Sequence, residues 1–166
     1  MSAPAQPTRW LDNRPETSEF LDDVCQGLSR QPKRLSSKYF YDSEGSKLFE
    51  RICEQPEYYL TRTELAIMRE YVGTMADCLG PEVLLMELGS GSGQKTRLLL
   101  EALQAPVAYV PVEISHTALL DSVAGLAKDF PRLEMLPVCA DFTQTFQTPL
   151  SRIPARRTVV YFPGST

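Results

Sequence analysis

The chain is short of several things that would fix a function class at once. It has no apolar run long enough to cross a bilayer. Its N-terminus lacks the apolar core of a secretory signal, so residues 1–17, rich in Pro, Ala and polar side chains, read as a disordered lead-in to a cytoplasmic protein. Basic excess is missing too. The net charge is −4, which argues against a nucleic-acid partner bound by phosphate neutralisation, and the small basic cluster at residues 30–38 reads as a solvated loop. The four cysteines (Cys25, Cys53, Cys78, Cys139) form no C-x-x-C pair, so neither a metal site nor a disulfide framework is expected; reduced, mostly buried thiols are. The single histidine, His116, reads as a surface helix residue. No internal repeat is visible. What is present is 166 residues of ordinary hydrophobic content, 43%, enough for one domain that buries about two thirds of its unfolded surface.

Against that background the run Val83-Leu84-Leu85-Met86-Glu87-Leu88-Gly89-Ser90-Gly91-Ser92-Gly93-Gln94-Lys95-Thr96 stands out. An apolar stretch ends in an acid, breaks into alternating glycines and passes into a helix-forming segment. That order gives a buried strand, a tight turn and a helix, whose free N–H groups suit a nucleotide-like ligand. The glycine register separates the possibilities. A dinucleotide G-x-G-x-x-G puts Gln94 at its third glycine, and a P-loop G-x-x-x-x-G-K-[ST] puts Gln94 at its second, where a side chain obstructs phosphate wrapping. The hydrolase elbow G-x-S-x-G fails because Gly91 occupies the nucleophile position. The remaining pattern, acid-x-G-x-G-x-G, resembles the S-adenosylmethionine loop of Rossmann-like methyltransferases. A P-loop-like nucleotide-binding protein and a ligand-free glycine turn stay open as alternatives.

Periodicity places the other elements. A helix is expected at residues 18–28, broken by Pro32. A short amphipathic helix carries Leu48, Phe49, Ile52 and Cys53, and Pro56-Glu57-Tyr58-Tyr59 follows as a connector. Thr61-Arg62-Thr63-Glu64 has the form of a capping box with Thr61 as N-cap, opening a helix that Gly80-Pro81 stops. From Val83 strands and helices alternate: strands at 83–88, 108–112, 133–139 and 158–162, helices at 95–103 and 115–129. The fold class expected is therefore α/β, a Rossmann-like parallel sheet over residues 81–166 preceded by an N-terminal helical segment over 18–80. Because an apolar strand is followed at once by Phe162-Pro163-Gly164-Ser165-Thr166, residues 81–166 are expected to be the first half of a doubly wound sheet, truncated and poorly soluble alone.

In such a sheet, ligand contacts gather at successive strand ends. Glu113, ending the second strand, is placed to accept from both ribose hydroxyls. At the end of the third, Asp141 is placed to accept from an adenine amino group and Phe142 to offer its backbone N–H or a ring face.

Several segments together resemble one family: Ser37-Lys38-Tyr39-Phe40-Tyr41-Asp42 with Gly45-Ser46-Lys47-Leu48-Phe49-Glu50, Pro56-Glu57-Tyr58-Tyr59-Leu60-Thr61-Arg62-Thr63-Glu64, the glycine loop with Lys95-Thr96-Arg97, and Tyr161-Phe162-Pro163-Gly164-Ser165-Thr166. They resemble the histidine-specific S-adenosylmethionine-dependent methyltransferases, known for Nα-trimethylhistidine formation on the way to ergothioneine. The resemblance implies a methyltransferase with S-adenosylmethionine as cofactor, an amino acid as small-molecule substrate and no metal. It implies cofactor contacts at Gly89, Gly91, Lys95, Glu113, Asp141 and Phe142, with Lys95 meeting the methionyl carboxylate, and substrate contacts at Tyr58 and Tyr41. The family's usual acid at the second strand end is Asp, so Glu113 is a conservative departure that shifts the ribose. The resemblance points to a cytoplasmic amino-acid Nα-methyltransferase, with a truncated, non-catalytic relative as the alternative. No catalytic base is assigned, and oligomeric state is not legible.

Overall fold

The computed structural model describes residues 10–13 and 17–163. Gly164, Ser165 and Thr166 of the last motif lie outside the described residues, as do 1–9 and 14–16 of the expected lead-in. The rest of that lead-in corrects the sequence reading. Leu11–Asn13 forms a strand, β1, rather than a disordered tail. The helical segment follows as α1 (Thr17–Ser29), a 3-10 turn (Ser37–Phe40), α2 (Ser43–Glu54) and α3 (Leu60–Leu79). Then come β2 (Val83–Leu88), α4 (Gln94–Ala102), β3 (Ala108–Glu113), α5 (His116–Asp129), β4 (Glu134–Met135), β5 (Val138–Ala140) and β6 (Arg157–Tyr161).

The sheet runs β1-β5-β3-β2-β6, with β4 also on β3, and every pairing among these strands is parallel. The fold is a Rossmann-like α/β sheet. β3 lies at its middle and all six of its residues are buried. Apolar side chains sort onto two faces. Val83, Leu85 and Tyr109 pack with Met68 and Ala76 of α3, Leu99 and Leu100 of α4, and Leu119, Val123 and Leu126 of α5. On the other face Val110, Val112, Val138 and Ala140 cluster with Leu84, Met86, Leu88, Phe142 and Phe146.

Two expected elements changed shape. The single strand at 133–139 is two short ones, because β3 pairs β4 through Ala108 and Tyr109 and resumes with β5 only at Val112. Pro111 and Pro137 both fall in that gap, and neither has an N–H to give to a ladder. The capping box did not form. α3 begins at Leu60 with Tyr59 in the cap position and no side-chain cap. Thr61 is already inside the helix, and Glu64 turns instead to Lys95 Nζ at 3.0 Å. The connector is held in another way, by Arg62 donating to the carbonyls of Gln55, Pro56 and Tyr58 at 2.9, 2.6 and 3.3 Å.

Candidate functional site

The glycine loop connects β2 to α4, and its backbone is left-handed at Gly89 (φ 69°), Gly91 (φ 50°) and Gly93 (φ 71°). Gly93 is needed twice over. A Cβ there would lie 2.8 Å from Ser122 Oγ and 3.2 Å from Leu126 Cδ1 of α5, whereas one at Gly91 meets nothing within 4 Å. Gly93→Ala is therefore expected to destabilise the fold by about 2 kcal/mol, left-handed strain plus overpacking, and Gly91→Ala by about 1 kcal/mol, strain alone. Urea denaturation midpoints check the order of the two.

Beneath the loop lies a sealed acid. Glu87 is 1% exposed. Its Oε2 accepts from Thr96 Oγ1 of α4 at 2.5 Å and from the hydroxyl of Tyr109 on β3. Burial pushes its pKa up to about 7, against the opposing pull of those two donors. Strand, helix and neighbouring strand are thus tied at one carboxyl immediately before the loop begins.

Glu113 ends β3 and braces the loop from the other side. Its Oε2 accepts from Gly91 N at 3.1 Å and its Oε1 from Ser115 N at 3.1 Å. A carboxylate oxygen has capacity beyond one bond, so both can accept further hydroxyls. Asp141, just past β5, is 7% exposed. Its Oδ1 takes Thr143 N and Thr143 Oγ1 at 2.9 and 2.6 Å. Among the described residues its Oδ2 has no aligned hydrogen bond and is met by Lys38 Nζ, at 3.3 Å. Burial works to raise the pKa of Asp141, but the Thr143 bonds and the Lys38 ammonium outweigh it and hold the carboxyl below its usual value.

One cleft is lined by Gly89, Glu113, Ile114, Asp141, Phe142 and Thr143 from the strand ends, with Ser36, Ser37, Lys38 and Tyr41 facing them from the N-terminal segment. Of the residues expected at a site, the fold brings Gly89, Glu113, Asp141, Phe142 and Tyr41 to this cleft, and Gly91 joins through its bond to Glu113. Tyr58 is not on the lining. Its ring meets Phe49 edge-on at 6.0 Å, and Phe49 meets Tyr41 at 6.1 Å, so the two tyrosines are linked through one phenyl ring. Burial raises the pKa of the Tyr58 hydroxyl, which stays protonated at neutral pH. Lys95 is off the lining as well, paired with Glu64.

Three readings are corrected. Lys38 does not belong to a solvated loop but is 18% exposed and ion-paired. His116 is not a plain surface residue: it is half-buried, its ring 5.0 Å from that of Trp10. The cysteines are free, but only Cys139 is buried. Among the described residues no cluster of His, Cys, Asp and Glu converges as metal ligands, and no helix is long and apolar enough to cross a membrane.

Comparison with known proteins narrows the assignment. The chain is 38% identical over 148 residues to the histidine N-alpha-methyltransferase of Mycolicibacterium smegmatis, covering 87% of this chain and 44% of the relative. The corresponding enzyme of Mycobacterium tuberculosis is 37% identical over the same shares. The 4-dimethylallyltryptophan N-methyltransferase of Claviceps purpurea is 30% identical, covering 68% of this chain and 33% of the relative. The chain thus spans less than half the length of these curated relatives. The profile described as "Histidine-specific methyltransferase, SAM-dependent" matches residues 20–166, and with the glycine loop and the two strand-end acids converging on one cleft, the chain belongs to that family.

Proposed function

We propose that this chain forms the cofactor-binding part of a methyltransferase that uses S-adenosylmethionine to methylate the α-amino group of an amino acid, with L-histidine as the acceptor. The observation that supports this most is the convergence of Gly89, Glu113, Asp141 and Phe142, from the ends of β2, β3 and β5, with Tyr41 on the opposing wall. In open parallel sheets ligands lie outside the carboxyl ends of the strands, where the loops and helix N-termini face them.

The residues suit an adenosyl group. Asp141 offers a buried, ionised oxygen without an aligned partner, which an exocyclic amine can fill. Glu113 offers further acceptor capacity for ribose hydroxyls, and the loop at Gly89 and Gly91 lets the backbone approach closely. Phe142 supplies a half-buried ring beside Asp141. The bound cofactor supplies an electrophilic methyl group on a sulfonium. The protein's part is then to align an amine with it in a dry site, an effect worth several kcal/mol. A free α-amine is largely protonated at neutral pH and must lose that proton. Tyr58 is neutral at this pH and so is no base; it partners the amine in this reading only where the acceptor reaches past Tyr41 and Phe49. Lys95 reaches a cofactor carboxylate in this reading only by exchanging its Glu64 partner.

Calorimetric titration tests the cofactor half. Saturable binding of S-adenosylhomocysteine and none of magnesium ATP is expected; the reverse pattern overturns the reading in favour of a P-loop-like protein. Transfer of a labelled methyl group to L-histidine tests the acceptor half, and preference for tryptophan over histidine overturns it.

A further inference from the structure

Lys38 is the one residue of the N-terminal segment that reaches a strand-end acid of the cleft as an ion pair among the described residues. Its ammonium lies 3.3 Å from Asp141 Oδ2 and 3.1 Å from Asp23 Oδ2 of α1. The same Asp23 oxygen accepts from the Tyr39 hydroxyl at 2.5 Å, and the Tyr39 ring packs edge-on against Phe20 of α1 at 4.7 Å. Lys38 also sits 5.1 Å from the centre of the Tyr39 ring. Three residues on, Tyr41 closes the 3-10 turn, its N–H donating to the Lys38 carbonyl at 3.3 Å, and enters the cleft lining. α1, the turn and the end of β5 therefore meet at one side chain.

We propose that Lys38 is a positioning residue that fastens the turn carrying Tyr41 to Asp141, so that the acceptor-side and nucleoside-side walls of the cleft are held in one register. This rests on the cofactor reading above. The physical case is the burial of Asp141. Asp141 is 7% exposed, and a carboxylate that far from water is costly unless paired. Burial alone would depress the pKa of Lys38; its two carboxylates, Asp23 first, reverse this and keep it charged. Losing Lys38 leaves Asp141 buried, with Oδ1 still held by Thr143 but Oδ2 uncompensated, so the carboxyl takes a proton more readily. Oδ2 then stops being a fixed acceptor. The turn loses its tie to the sheet in the same step.

A double-mutant cycle separates this from a merely structural role. Lys38→Met is expected to weaken S-adenosylhomocysteine binding to the whole chain about tenfold, and Lys38→Arg, which keeps the charge, to restore most of that. In an Asp141→Asn background the Lys38→Met change is expected to cost less than about twofold, because its route to the ligand has been removed. Asp23→Asn, on α1 and off the cleft lining, is expected to weaken binding by a smaller factor, also lost beside Asp141→Asn. It carries the cycle should Lys38→Met fail to show a cooperative thermal transition. Losses that multiply in the double variants overturn the proposal while leaving the cofactor reading intact. Failure of the unaltered chain to bind S-adenosylhomocysteine removes both.

Discussion

Replacing Glu113 by alanine is expected to weaken S-adenosylhomocysteine binding at least about a hundredfold, roughly 3 kcal/mol, with the chain still folded. Two losses add. The first is internal: Gly91 N and Ser115 N both depend on Glu113, one through each oxygen, and of the two Ser115 is buried, where an amide left without a partner costs about 1–3 kcal/mol. The loop would be freed at Gly91, which has no neighbour within 4 Å of its Cβ position to restrain it. The second is external, since ionised acceptors make the stronger bonds to hydroxyls. Glu113→Gln divides the two contributions. It keeps one acceptor oxygen but must leave Gly91 N or Ser115 N facing an NH2 group, so a loss of about tenfold is expected. Calorimetry with each variant, beside a far-UV thermal melt, makes the measurement. A dissociation constant for Glu113→Ala within about threefold of the unaltered chain would mean that no ligand leans on the end of β3.

Much of this was legible in the sequence, for identifiable reasons. β2, α4, β3 and α5 fall within one or two residues of their expected bounds, because each has strong periodicity and is punctuated by glycine or a cap-like serine. The acids at 113 and 141 could be found because parallel strands all end on one side, so any acid just past such a strand faces the same crevice. What escaped depends on contacts distant in sequence. β1 has three residues, Leu-Asp-Asn, with no pattern of its own, and exists because Leu11 to Asn13 can pair with Val138 to Ala140. The cap at Thr61 lost to an ion pair between Glu64 and a lysine 31 residues further on. Lys38, within a run of basic residues, carries no local sign of Asp141. Its only trace was membership in the Ser37-Lys38-Tyr39-Phe40-Tyr41-Asp42 motif, whose lysine had no assigned task. The proline pair that splits the third strand could have been read, since Pro137 sits inside the apolar run, but its effect needed Pro111 opposite it.

These two classes of residue divide the labour of the site. Residues read from local pattern build the crevice, while Lys38 and Glu64 fix how the N-terminal segment lies against it and Arg62 braces that segment internally. Arg62 holds the connector that presents Tyr58 by three carbonyls, and Glu64 engages the first turn of α4. The glycine loop thus sits between a helix fastened from outside and a carboxyl fastened from below.

That lower carboxyl yields the second large effect: the fold is expected to gain about 3 kcal/mol of stability as pH falls from about 8 to about 4.5. Burial raises the pKa of Glu87 from 4.5 to about 7, so between those values the folded chain keeps a proton that the unfolded chain has released. The folded state binds more protons there, and stability falls as pH rises, by up to about 1.4 kcal/mol per pH unit, until Glu87 ionises near 7. Below 4.5 both states are protonated and the contribution is complete. Asp23 and Asp141, held below their ordinary value of 3.8, act in the opposite direction, but only in more acid solution, below the window from 4.5 to 7. Glu87→Gln, the neutral isostere, should flatten that slope and match or exceed the unaltered chain at pH about 8, where burying a charge costs most. Urea denaturation midpoints across this range, with the denaturant slope held constant, make the test. A profile equally flat in both proteins would mean that Glu87 stays ionised throughout, its bonds from Thr96 and Tyr109 fully offsetting burial. The acid before the glycine loop would then be a fixed anion, not a proton-bearing joint.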